Sequence, residues 1–184
     1  MNKIFRFDDI CINTDMGKAN EMARMLRKKF PNCEILFCIS PLVHPMEDYA
    51  DPVTRERIFP KIMNAYSDFR RFYQVDKCGC PDIIPEVSRA SHGLIHVDHR
   101  LLAKEAQEMS IMVSCSLSGS KVFVPPFNKW NKDTEDICEE HDITLVKFED
   151  GWLCMEYNDF DENHDLWYVH SREFTLNGFK KWLR

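Results

Sequence analysis

Short apolar runs alternate with helix-period segments along this chain, and several runs stop abruptly at a charged or imidazole-bearing residue. Ile4-Phe5-Arg6-Phe7 reads as a strand halted by Asp8-Asp9. Ala19, Met22, Ala23, Leu26 and Phe30 recur at helical spacing and end before Pro31, and Glu34 to Ser40 forms a second strand. A short strand from Val87 leads to His92-Gly-Leu-Ile-His96. The helix after Asp98 carries Leu102, Ala106, Met109 and Val113 as its core stripe. Lys121 to Val124 is a strand stopped by Pro125-Pro126, Asp133 to His141 a brief capped helix, and Ile143 to Phe148 a further strand. Leu166 to Val169 delivers His170, and Thr175 caps a last helix with Leu176, Phe179 and Leu183 inward. Five or six strands with helices between them predict an α/β chain built on a parallel sheet or a barrel.

The 184 residues suit one domain, 1–184, with 44% hydrophobic and 29% charged side chains, enough to bury a sizeable core. Residues 41–86 are the least regular part. Ile58, Ile62, Ala65, Tyr66, Phe69 and Tyr73 suggest a helix that Pro60 interrupts, and prolines punctuate both flanks, so this segment reads as a lid or insertion. A net charge of −6 opposes a phosphate backbone and excludes duplex nucleic acid as the expected partner. No stretch approaches a membrane span, and Arg6, Asp8 and Asp9 leave no apolar signal region. The eight cysteines are therefore expected as free thiols in a reducing cytoplasm. Cys78-Gly-Cys80 is spaced like half of a metal site, but no second Cys/His pair complements it.

Asp8-Asp9, His92 with His96, and His170 all follow strands, and in parallel α/β architectures the carboxyl ends of the strands form the active face. Adjacent carboxylates there serve as a turn or helix cap, or else one ligates a metal while the other stays free as a base. His92 and His96 stand at i and i+4, a separation that suits a divalent metal and also occurs by chance. Gly93 allows a sharp turn between them. An Asp-His-His set leaves a metal open to water, as hydrolytic metals require.

These residues resemble the motifs of the NodB-homology polysaccharide deacetylases, the family 4 carbohydrate esterases. Arg6-Phe7-Asp8-Asp9-Ile10 is similar to the first motif, and His92-Gly-Leu-Ile-His96 to the second. Val124-Pro125-Pro126-Phe127 is similar to the third, Asp150-Gly151-Trp152 to the fourth, and Trp167-Tyr168-Val169-His170 to the last. The resemblance spans residues 4–183 and implies a distorted (β/α) barrel with fewer than eight strands. It implies one divalent metal on Asp9, His92 and His96: zinc first, with cobalt, nickel or manganese able to substitute. Asp8 would be the general base and His170 the general acid. Pro126, Phe127, Asn128, Trp130 and Trp152 would contact the substrate; Asp98, directly after the second motif, caps a helix or else orients His96, and Asp150 would support the site from behind. The implied reaction removes an acyl group, typically N-acetyl, from an amino sugar or glycan.

The chain departs from that pattern in three places. Val124 stands where the family has the arginine that pairs with the catalytic aspartate; Arg6, Arg89, Arg100 or Lys129 could replace it in space. Phe127 lacks a tyrosine hydroxyl, and Ile10 replaces a glycine after the aspartate pair. Two other functions therefore stay open: hydrolysis of a different amide or ester on the same scaffold, and a catalytically silent carbohydrate-binding protein.

Overall fold

The structure is a computed structural model describing residues 3–11, 14–40, 83–94, 96–147, 151–170 and 175–184. The strands are β1 (Ile4–Ile10), β2 (Glu34–Ile39), β3 (Ser88–Ser91), β4 (Val122–Phe123), β5 (Thr144–Leu145), β6 (Leu153–Cys154) and β7 (Leu166–His170). The helices are α1 (Met16–Lys29), α2 (Lys104–Ser118), α3 (Lys132–Glu140) and α4 (Leu176–Trp182), with 3₁₀ turns at His99–Leu101 and Pro126–Asn128. Among the described residues, seven strands join one curled half-barrel sheet in the order β5-β4-β3-β2-β1-β7-β6, and each of these pairings is parallel. This is the expected α/β distorted barrel with fewer than eight strands.

Strand alternation separates the two faces of the sheet. Phe5 and Phe7 of β1, Ile35, Phe37 and Ile39 of β2, and Trp167 and Val169 of β7 join one core with Ala19, Met22, Ala23 and Leu26 of α1 and Phe179 of α4. The intervening residues occupy the opposite face. Arg6 sits level with Tyr168 and Leu36, and Asp8 level with His170. The apolar residues of β1 thus anchor the sheet while its polar residues line the concave side.

Two sequence expectations are met only in part. The expected stripe does pack together, Leu102 and Ala106 buried and Met109 and Val113 partly so, in a satellite cluster with Leu94 and Val97. The face of α2 that is buried most extensively was not expected: beside Ala106 it is Gln107, Ser110, Ile111, Ser114, Cys115 and Ser118, small and largely polar. Serines let the helix lie close to β3, and their hydroxyls are used: Ser114 bonds Ser91, and Ser110 accepts from the Leu94 N–H at 3.1 Å. The strand expected over Ile143 to Phe148 is reduced to two residues, Thr144–Leu145, and β6 was not expected at all. The lid or insertion read over 41–86 lies, except for 83–86, outside the described residues, as do Cys78 and Cys80. Among the described residues no helix is long and apolar enough to cross a membrane.

Candidate active site

Because the strands run parallel, their carboxyl ends meet at one rim. β1 is an interior strand between β2 and β7, so its last residues lie within that rim rather than at its edge. The register slips between Phe7 and Ile10, where Asp9 adopts φ 60°, a left-handed conformation that a non-glycine residue holds only under constraint. This irregularity turns Asp9 away from the sheet while Asp8 keeps its place on the concave face. After β3, Gly93 at φ 79° bends the chain so that His92 and His96 return toward Asp9.

Nε2 of His92 and Nε2 of His96 lie 3.5 and 3.1 Å from Asp9 Oδ1. The remaining ring nitrogen of His92, Nδ1, is 2.7 Å from the Val124 carbonyl. A carbonyl can only accept, so Nδ1 carries a proton, and in the tautomer protonated there alone Nε2 offers its lone pair. That lone pair faces a carboxylate oxygen that is itself buried and has no well-aligned hydrogen bond. Acceptors facing one another across a buried gap repel unless a cation lies between them. Burial, together with the neighbouring His92, lowers His96 to about 4, leaving it neutral and able to ligate at neutral pH. Burial alone would raise the Asp9 carboxyl, but His92, His96 and His170 reverse this and hold it below the ordinary carboxylate range. Asp9, His92 and His96 could therefore hold a metal ion, and the donor set suits one.

Asp8 is clamped. Arg6 Nε donates to Oδ1 and Arg6 Nη2 to Oδ2, both at 2.8 Å, and Nη2 also donates to Asn128 Oδ1 at 2.6 Å. The guanidinium is fully buried, 4.7 Å from the Trp152 ring centroid and 5.2 Å from that of Tyr168. Of the cations that could replace the absent arginine at Val124, it is Arg6 that reaches the Asp8 carboxylate. Arg100 is bound to Asp98 at 2.8 Å, and Lys129 Nζ lies 4.0 Å from Asp98.

His170, at the end of β7, donates from its backbone N–H to Glu156 Oε1 at 2.7 Å, and its Nδ1 lies 2.8 Å from Glu156 Oε2. Cys154 Sγ donates to the same Oε2 at 2.9 Å. Hydrogen bonds to Cys154 and Glu156, outweighing burial, push His170 up to about 11, so the ring is an imidazolium at neutral pH. Sequence reasoning missed Glu156 and Cys154. The signal was faint, because the strand that places them spans only two residues.

The remaining expected residues fall in different places. Phe127, 53% exposed and at φ 56°, lays its ring 4.3 Å from that of His96 at the rim. Pro126 is buried beneath it, and Asn128, at φ 54°, is occupied by Arg6. Trp152 is buried against Arg6. Trp130 is half-buried and interacts with Glu135 of α3. Asp98 spends its carboxylate on Arg100, whose backbone N–H it also caps; the contact holding the His92 ring comes from the Val124 carbonyl. Asp150 lies outside the described residues.

No protein-family model and no curated protein sequence matches the chain. Solved structures do. A family 4 carbohydrate esterase from Streptomyces lividans in complex with acetate aligns with TM-score 0.56 at 11% identity, over 99% of this chain and 84% of that one. A mutant of the peptidoglycan deacetylase PdaC from Bacillus subtilis aligns with TM-score 0.53 at 11% identity, over 99% and 81%. A CE4 family pseudoenzyme from Bacillus anthracis aligns with TM-score 0.56 at 9% identity, over all of this chain and 59% of that one. The fold is that of the NodB-like polysaccharide deacetylases.

Proposed function

We propose that this protein is a metal-dependent hydrolase that removes an acyl group, in the first instance N-acetyl, from an amino sugar or glycan. One observation carries the reading. Three ligand atoms, one of them a buried carboxylate oxygen with no well-aligned hydrogen bond, stand on the same rim as an arginine-clamped carboxylate and a glutamate-held imidazolium.

Asp9, His92 and His96 would hold one divalent cation, zinc or else cobalt, nickel or manganese. Such a cation makes water nucleophilic at neutral pH and polarises an acyl oxygen. Asp8 acts as the base that takes the water's proton. Two hydrogen bonds from Arg6 fix its plane, and each oxygen keeps a further lone pair for that proton. The Phe127 backbone N–H would donate to the acyl oxygen as negative charge builds on it, since the Asn128 and Lys129 N–H groups already bond the Pro125 and Pro126 carbonyls. His170, already an imidazolium, gives its Nε2 proton to the departing sugar amine or hydroxyl while Glu156 steadies the other side of the ring. The exposed Phe127 ring offers an apolar wall to a pyranose face.

Arg6 also bears on the catalytically silent alternative. That reading drew its support from Val124 standing in place of an arginine, and Arg6 supplies a guanidinium to the carboxylate from another element.

The test is acetate release from N-acetylated chito-oligosaccharides with zinc or cobalt supplied. The wild type is expected to turn over, with Asp8→Asn and His170→Gln each lowering kcat/KM by about 10²–10⁴-fold. Glycan binding with no acetate released under any metal would favour the silent alternative.

A further inference from the structure

We propose that Cys154, Glu156 and His170 form a second, sulfur-containing metal site that takes zinc, and that filling it disables His170 as an acid. The second half of the proposal rests on the function proposed above; the first half does not. Cys154 Sγ, Glu156 Oε2 and His170 Nδ1 converge at 2.9 and 2.8 Å about the shared carboxylate oxygen. Each residue thus offers one ligand atom to a common point, and the group is separate from Asp9, His92 and His96. β6 pairs with β7 in parallel, Cys154 opposite Tyr168, which brings the thiol alongside the strand that ends in His170. The turn that follows is tied back to the Cys154 carbonyl by the Asn158 N–H at 3.1 Å and its side-chain amide at 2.8 Å, so Glu156 folds over the strand end.

Thiolate, imidazole and carboxylate in tetrahedral reach form a donor set that favours zinc over calcium or magnesium. Zinc bonds of about 2.0–2.3 Å require ligand atoms roughly 3.2–3.8 Å apart. The observed contacts need to open by less than about 1 Å to admit the ion. The thiol is almost buried, and the His170 side chain, 32% exposed, provides the way in. Charge and protons balance: the ion displaces the thiol proton and the Nδ1 proton, Glu156 is already ionised, and two protons leave for each zinc bound. In the metal-free protein, His170 can lose its Nε2 proton and remain a neutral ring with Nδ1–H on Glu156. With zinc on Nδ1, losing that proton leaves an imidazolate, so donation to a leaving group stops.

Cobalt separates the two sites, because only a site with sulfur gives a thiolate-to-cobalt charge-transfer band. Titrating the intact protein with cobalt is expected to raise that band to one equivalent per chain. Cys154→Ser should abolish it, His92→Ala should keep it, and Glu156→Gln should weaken its affinity about 10–100-fold. Circular dichroism checks that each variant is folded, and Cys154→Ala serves if Cys154→Ser is not. Absence of the band, or its survival without Cys154, overturns the site. In the activity arm, zinc beyond one equivalent should suppress acetate release by the wild type and leave Cys154→Ser at its own one-equivalent rate. Equal suppression of both overturns the inhibitory role. A protein that releases no acetate at all would count against the proposed function, and the charge-transfer arm would still decide the site.

Discussion

Arg6 and Asp8 stand two residues apart on one strand and form a buried two-point pair. Removing one member of such a pair strands the other in low dielectric, which costs about 3–5 kcal/mol. Arg6→Met should therefore lose about that much in urea unfolding, and Arg6→Met with Asp8→Leu should regain most of it, because two apolar groups fill the space without a stranded charge. A single variant as stable as the wild type would show that the clamp is not formed. The second test at this scale concerns pH. His170 is raised to about 11, so the protonated ring persists well above the ordinary histidine value. Its stabilisation is complete below the unfolded value near 6.5 and is lost as pH climbs through the folded value. An acid that must be protonated gives an activity that falls on the alkaline side. In Glu156→Gln that fall should move to lower pH, though Cys154 still raises the ring, and an unmoved profile would separate Glu156 from the titrating group. Asp9, His92 and His96 were readable from sequence, because strand ends and the i, i+4 spacing mark them. Arg6 was one of four candidate cations. Only the parity of β1, which puts Arg6 and Asp8 on the same face, singles it out.

The long, periodic elements were the ones most open to sequence reading. α1 and β2 bury enough apolar surface to advertise their period, and Asp15 caps α1 by accepting from the Lys18 N–H at 3.0 Å. β4 and β5 are legible as strands, but at two residues each they are shorter than the apolar runs that mark them, and β6, also two residues, has no period to read and exists because β7 supplies its partner. The buried serine face of α2 was invisible for a related reason, since small polar residues look solvent-facing until β3 supplies their hydrogen bonds. That junction also sets an acid limit. His99 is fully buried between the Val97 carbonyl at 3.0 Å and Ser110 Oγ at 3.1 Å, and burial lowers it to about 4. The unfolded chain takes up this proton from about pH 6.5, so stability should fall as pH drops from there toward 4. His99→Gln should remove that part of the slope in denaturant midpoints measured across pH. A slope unchanged by the substitution would assign the acid sensitivity elsewhere.

Across the whole molecule, the sheet order explains why one rim gathers the chemistry. β1 is flanked by β2 and β7, with β3 beyond β2 and β6 beyond β7, so the ends of β1, β3, β6 and β7 bring Asp8, Asp9, His92, Glu156 and His170 to one edge. A cation shared between β1 and the segment after β3 would tie distant parts of the chain together. Zinc at about a thousand times its Kd should raise folding stability by about 4 kcal/mol, and chelation should reverse this. A metal centre on Asp9, His92 and His96 is tested most directly by the metal content of the protein in a Cys154→Ser background, which removes the thiol site, beside the same protein carrying Asp9→Ala and His92→Ala. About one zinc per chain is expected in the first and none in the second. Zinc retained by the second, or none taken up by the first after zinc is supplied, would contradict it.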